Sequence, residues 1–273
     1  MFSAVQSKSL LTGFFIFLNL IFEATVRQVR STHNNAIIGL LNSILTSVVM
    51  IMAFYLMFTI MGLRGAPLRG DMMLFMMTGI FLFLTHTKAV GAVAGADGPT
   101  SPMMLHGPMN TIIAICGAAL GSLYIQLLTL ILVLAAYHTL FNPITIHNPM
   151  GGLGMFLLAW LSGCAIGMLL LAIKPWAPGV IALVTTIYRR ANMIASGKMF
   201  AANTLPNTMI AMFSWNPLFH TIDQSRTFVF LNYSSDVTNI AYPVYLSLAF
   251  IMLGLMGEFF TRKHASASWG AGK

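Results

Sequence analysis

Apolar runs of membrane-spanning length recur along the chain from residue 36 to residue 261, and this recurrence leaves little choice of fold. A helix needs about 20 predominantly apolar residues to cross a bilayer, and it must satisfy its own backbone N–H and C=O groups because no water is there to do so. Such runs fall at residues 36–62, 72–87, 111–137, 152–173, 179–200 and 240–261. The second is short on strict hydropathy and is expected to continue through Thr87 and Lys88. The expectation is an all-α integral membrane protein with six transmembrane helices and both termini on one side. Only 7% of the 273 residues are charged and 58% are hydrophobic, so no soluble domain has room to exist. The expected organisation is a single transmembrane domain over 1–273. It has an interfacial helix in 1–35, five spans in 36–200, an external re-entrant region in 201–239, a last span in 240–261 and a tail in 262–273.

Charge distribution sets the orientation and excludes one class of partner. The net charge of +8 comes from 14 basic residues scattered in ones and twos, which form no stripe that could track nucleic-acid phosphates. Topogenic placement and contact with anionic lipid explain the excess. With the N-terminus cytoplasmic, Lys8, Arg27, Arg30, Lys88, Lys174, Arg262, Lys263 and Lys273 lie inside, while Arg64, Arg69, Lys198 and Arg226 lie outside. Arg189 and Arg190 fall within the fifth span. The run Leu10 to Phe22 is too short to span and has no small-residue cleavage site behind it, only Glu23, Arg27 and Arg30. It is expected to stay and lie in the interface, with Arg27, Arg30 and His33 in water or on a soluble partner. The loop KAVGAVAGADGPTSPMMLHGP, Lys88 to Pro108, reads as either a solvated linker or a docking surface for a cytosolic subunit.

Several chemistries find no support. None of the six acids sits in mid-span, which argues against a proton or sodium carrier. The seven histidines show no pair at metal-ligand spacing, and the tail SWGAGK lacks the first glycine of a phosphate loop. Cys116 and Cys164 lie in apolar segments as small packing residues. Gly117 with Gly121, and Gly163 with Gly167, are small-xxx-small pairs that permit close helix approach.

The concentrated chemistry lies in LPNTMIAMFSWNPLFHTIDQSR, Leu205 to Arg226. Pro206 and Pro217 forbid one continuous helix. The reading is two short helices, about Asn207 to Ser214 and about Pro217 to Phe228, folded back near the membrane surface and lining one end of a translocation route. Asp223 and Arg226 are three apart and close enough to pair, with His220 placed to join them. Phe200, Phe213, Trp215, Phe219, Phe228, Phe230 and Tyr233 suit an interfacial aromatic belt, or rings on which the C–H faces of sugars stack, with Trp215 and Asn216 the preferred pair. Tyr188, Arg189 and Arg190 are the sharper signal, since each arginine at mid-bilayer costs about 2.5–3.5 kcal/mol. The arginines either snorkel to phosphates or meet an anionic or hydroxylated substrate in an aqueous path.

WNPLFHTIDQSR, preceded by IASGKMFAANTLP and, near the start, VRQVRSTHNNAIIGLLNSIL, resembles the permease subunit of ATP-binding-cassette exporters for capsular polysaccharide in Gram-negative bacteria. The likeness covers most of the chain. It departs from the family in having Asp223 where Glu is common, Ala191 where Pro usually follows the basic residue, fewer basic residues in the early helix, and less charge in the second cytoplasmic loop. The resemblance implies an inner-membrane homodimer of six-span permeases with the polysaccharide passing between them. It implies a separate ATPase subunit on each permease, holding ATP and magnesium and approached by Arg27, Arg30, Lys88, Asp97 and His106. A periplasmic adaptor and an outer-membrane export protein would be further partners, and this chain would hold no catalytic residue or cofactor. Alternatives are a permease for O-antigen, teichoic acid or lipid, a membrane assembly protein without transport, and an intramembrane enzyme for which only His220 and Asp223 are available.

Overall fold

The computed structural model describes residues 10–31, 36–62, 71–98 and 110–264. Among these the chain is all α-helix and turn, with no strand. The helices are α1 (Leu10–Ser31), α2 (Ala36–Ile60), α3 (Met72–Ala94), α4 (Thr111–Leu140), α5 (Pro149–Ile173), α6 (Pro178–Ala195), α7 (Asn207–Phe213), α8 (Pro217–Val229) and α9 (Ala241–His264). Five of them, α2, α3, α4, α5 and α9, are long and apolar enough to cross a membrane. α6 occupies the fifth expected span but has 18 residues, and Arg189 and Arg190 lower its hydropathy. His106 and most of the loop around it lie outside the described residues.

Local sequence explains where the helices start. Asp71 caps α3 by accepting from the Met73 amide at 2.8 Å. Two Asn-Pro pairs do the same work at α5 and α8. The Asn148 side chain accepts from Gly151 N–H and that of Asn216 from Leu218 N–H, each at 3.0 Å, while Pro149 and Pro217 take the first helical position, where a missing amide costs nothing. α6 ends where Gly197 turns the chain at φ +72. A side chain there would be strained, and its Cβ would stand 2.7 Å from the Phe219 ring.

α3 is the central helix. In its most apolar stretch 89% of residues are buried, against 28% for α2 and 22% for α9. Its main neighbour is α5, where Gly163 meets the His86 carbonyl and Gly167 meets Val93 so closely that a Cβ would fall 2.5 Å and 2.8 Å from them. On the other side Gly117 of α4 abuts Ala24 of α1, and Gly121 abuts Gln28. Both small-residue pairs therefore work at real helix contacts, in a setting where lipid is as apolar as leucine and close packing supplies the attraction. One end of the bundle gathers Asp71, the 141–148 segment and the region from 196 to 240. The other is tied by Lys174 Nζ donating to Ala94 O, and by Trp176 Nε1 donating to Thr261, whose hydroxyl donates to Ala172 O.

The helix boundaries correct one expectation. The loop expected to start at Lys88 starts after Ala94 instead, because Ala89, Val90 and Val93 are fully buried against α4, α5 and α6 and keep the chain helical. Lys88 is consequently a helix residue.

Candidate functional site

The residues singled out in the sequence separate into three places. The first is a cavity of about 310 Å³ between α1, α2, α3, α4 and α6. Lys88 and Arg189, which the sequence reading assigned to different tasks, share its wall. Gly91, one turn beyond Lys88, faces the Arg189 guanidinium, and a Cβ there would meet Nη1 at an ordinary contact distance of 3.6 Å. Gln28, Asn42, Ser43, Ser122 and Gln126 complete the polar lining. Gln126 Nε2 donates to Ser43 Oγ at 3.0 Å, and its Oε1 has no hydrogen-bond partner among the described residues. All six acids of the chain are among the described residues, and none lines this cavity. Arg189 and the adjacent Arg190 on α6 are both exposed.

α6 itself is loosely held. Only Ile181 and Asn192 are buried along it, and it lies mainly on α3 and α5. A buried histidine supplies a specific tie. His86 on α3 donates from Nδ1 to Ala159 O of α5 at 3.1 Å, and its Nε2 accepts from Tyr188 of α6 at 2.8 Å. His86 has no metal-ligand spacing to single it out in the sequence. The run Thr85-His86-Thr87-Lys88, polar in the middle of an apolar segment, was the signal that could have found both His86 and the role of Lys88.

The second place is α8 with its surroundings, and here the structure revises the expected cluster. Asp223 and Arg226 form no ion pair within 4.0 Å, and His220 bonds to neither. One ion pair occurs among the described residues, between Arg27 and Asp97. The reason is that α8 points these side chains at different loops. Arg226, 0% exposed, donates to the carbonyls of Gly197 at 3.0 Å, Lys198 at 2.8 Å and Phe200, and lies 4.1 Å over the Phe75 ring. Burial pushes its pKa down to about 10, opposed by the Asp223 and Tyr233 charges, so the guanidinium stays charged at neutral pH. Asp223 accepts from the Ala202 amide at 3.0 Å, from Tyr233 Oη and from Thr238 Oγ1 at 3.0 Å. His220 donates from Nε2 to Ser214 O at 2.9 Å and accepts the Asn239 amide on Nδ1 at 3.2 Å. Burial holds its pKa below the ordinary value, with the Ser214 carbonyl and Asp223 opposing. These three residues thus stitch α8 to the segments on either side of it.

The aromatic set divides in the same way. Phe200 stacks on Phe213 with centroids 5.7 Å apart, and Phe219 meets Phe213 at a tilt with centroids 6.1 Å apart, inside a small core. Trp215 is 81% exposed and presents its ring outward, anchored by Tyr242 Oη donating to its carbonyl at 2.8 Å. Asn216 donates to Asn192 Oδ1 at 2.7 Å and to Ala195 O at 3.0 Å, fastening the start of α8 to the end of α6. Tyr188, Trp215 and Asn216 border an apolar groove between α6 and α9 that is separate from the Lys88 cavity.

The third place is the end of α3. Arg27 and Asp97 approach to 3.7 Å with both side chains partly exposed, and Arg30, further along α1, is exposed. The structure therefore brings Arg27 and Asp97 together and puts Lys88 elsewhere.

Compared with known proteins, the chain matches no family model and no curated sequence. Among the described residues, no group of three or more His, Cys, Asp or Glu side chains is arranged to hold a metal ion.

Proposed function

We propose that the chain is the permease subunit of an ATP-driven exporter that moves a capsular or related, lipid-linked polysaccharide across a bacterial inner membrane. The observation that carries this reading is α6, a loosely held helix that bears two adjacent arginines with little protein around it. Arg189 borders the polar cavity, but the exposed Arg190 does not, and a guanidinium facing hydrocarbon at mid-bilayer would cost about 2.5–3.5 kcal/mol. A second copy of the chain enclosing an aqueous path removes that cost. The exposed apolar residues of α2 and α6, among them Leu45, Val49, Leu183 and Ile187, provide a surface on which two copies can meet.

In this arrangement α6 serves as a sixth span, both termini are cytoplasmic, α1 lies in the interface, and α7 and α8 are re-entrant on the external side. Arg189, Arg190 and the exposed Trp215 face the path, while Asp223, Arg226 and His220 hold its external end in shape. Arg27, Arg30 and Asp97 meet a separate ATPase, which carries the ATP and magnesium and powers the cycle. A periplasmic adaptor and an outer-membrane protein complete the route. The test is deletion of the chain in its native host, with surface glycan stained and intracellular lipid-linked glycan measured. Loss at the surface with accumulation inside, restored by the wild-type chain, is the expected result. Unchanged surface glycan overturns the proposal.

A further inference from the structure

The cavity shared by Lys88 and Arg189 has an imbalance that the fold does not correct. Two cations stand on its wall, and no carboxylate among the described residues lines it. Asp97 is engaged with Arg27, Asp71 binds Tyr137 Oη and the Met73 amide, Asp223 is enclosed by Ala202, Tyr233 and Thr238, Asp236 meets Asn203, and Glu23 and Glu258 do not line the cavity. Neither Lys88 nor Arg189 makes an ion pair among the described residues. Like charges held together beside hydrocarbon repel, and an anion between them turns that repulsion into two attractions.

We infer that this cavity is a binding site for a hydroxylated phosphate ester. Three observations select that class. A planar guanidinium offers paired donors to an oxyanion and a lysine supplies a point charge, so two cations together match an anionic group that presents several oxygens in different directions, as a phosphate ester does. The rest of the wall mixes glycines, Ala92 and Ile125 with neutral polar side chains, Gln28, Asn42, Ser43, Ser122 and Gln126, which suits a ligand with hydroxyls next to its charged group. The volume, about 310 Å³, is at the small end of ligand sites, which run from about 300 to 1,000 Å³, so it takes a headgroup and excludes a polymer. The inference rests on the exporter reading for its meaning, since it makes the phosphate ester that joins glycan to lipid the part of the substrate first held. The binding itself can be tested apart from transport.

The experiment is calorimetric titration of the purified protein in phosphatidylcholine nanodiscs with glucose 1-phosphate and, separately, with dihexanoyl phosphatidylglycerol. Saturable binding of at least one is expected, and whichever binds more tightly names a free phosphate ester or a lipid headgroup as the source. Lys88→Gln and Arg189→Gln are each expected to weaken binding about tenfold or more, the scale of a lost charge-assisted hydrogen bond. Arg189→Lys should weaken it less, and Gln126→Leu should weaken both esters while sparing inorganic phosphate. Arg262→Gln with Lys263→Gln, which removes two positive charges from an exposed helix end where each site variant removes one, should change nothing. The proposal is overturned if neither ester binds, if Lys88→Gln and Arg189→Gln bind as wild type while eluting as folded protein, or if the distant double variant loses as much. Binding as expected together with unchanged surface glycan on deletion keeps the site and removes the exporter. Absent binding with export intact does the reverse.

Discussion

Replacing Arg226 with alanine tests the claim that the most chemically suggestive stretch of the chain is a scaffold. The guanidinium donates to three carbonyls in the reversal that follows α6, those of Gly197, Lys198 and Phe200, and has no exposure to solvent. Each buried acceptor left without its donor costs about 1–3 kcal/mol. Three would give about 3–9 kcal/mol, with a further contribution of about 0.5–2 kcal/mol from the cation over the Phe75 ring. Water entering the vacated space and relaxation of the loop reduce this toward about 3–5 kcal/mol, the usual cost of removing one partner from a buried charged network. At about 1.4 kcal/mol per factor of ten, that raises the open population of the 197–205 segment by roughly two to three and a half powers of ten. Limited proteolysis in detergent, followed by mass spectrometry, reads that opening directly, and thermal unfolding followed by size exclusion reads its effect on the whole chain. Arg226→Lys, which keeps the charge but not the fork, should fall between. Equal proteolysis rates and equal melting midpoints for Arg226→Ala and the wild type would refute the scaffold account.

Other expectations follow from the same geometry. Gly163→Ala drives a Cβ to 2.5 Å from the His86 carbonyl and should destabilise the α3–α5 contact by about 1–3 kcal/mol, whereas Gly154→Ala, with nothing within 4 Å, should be neutral or slightly stabilising; thermal unfolding of the pair separates close approach from helix propensity. His220 uses both ring nitrogens in its neutral form, and its folded pKa lies below the ordinary 6.5, so its contribution is present above pH 6.5 and is lost as pH falls toward the folded value. The melting midpoint should therefore drop between pH 7.5 and pH 5 by more in the wild type than in His220→Gln. Arg27→Glu with Arg30→Glu should weaken capture of the ATPase while changing the stability of the chain itself by no more than about 1 kcal/mol, because the Arg27–Asp97 pair is exposed; an unchanged pull-down contradicts the assignment.

The helices were legible in the sequence where their cause is local. Pro217 marked the start of α8 and the break between α7 and α8, whereas α5 starts at Pro149 behind the Asn148 cap, three residues before the expected 152. Apolar length located α2, α4, α5 and α9 to within a few residues. It failed at the end of α3, because burial of Ala89, Val90 and Val93 by other helices, and not hydropathy, carries that helix past Lys88. The candidate site was less legible for a related reason. Spacing on α8 put Asp223 beside Arg226, yet the loops that bury them compete for the same donors and acceptors, and backbone carbonyls in need of a partner won the arginine. Lys88 and Arg189 are 101 positions apart in the chain. Only the approach of α6 to α3 at Gly91 brings them to one cavity, and no periodicity encodes that.

The most direct test of the central claim is affinity purification of the tagged chain from its native membrane, with mass spectrometry of copurifying proteins and bound glycan. The account predicts an ATPase subunit in amounts equal to the chain, together with a phosphate-linked glycan. Intact, well-extracted protein that brings down neither would contradict it.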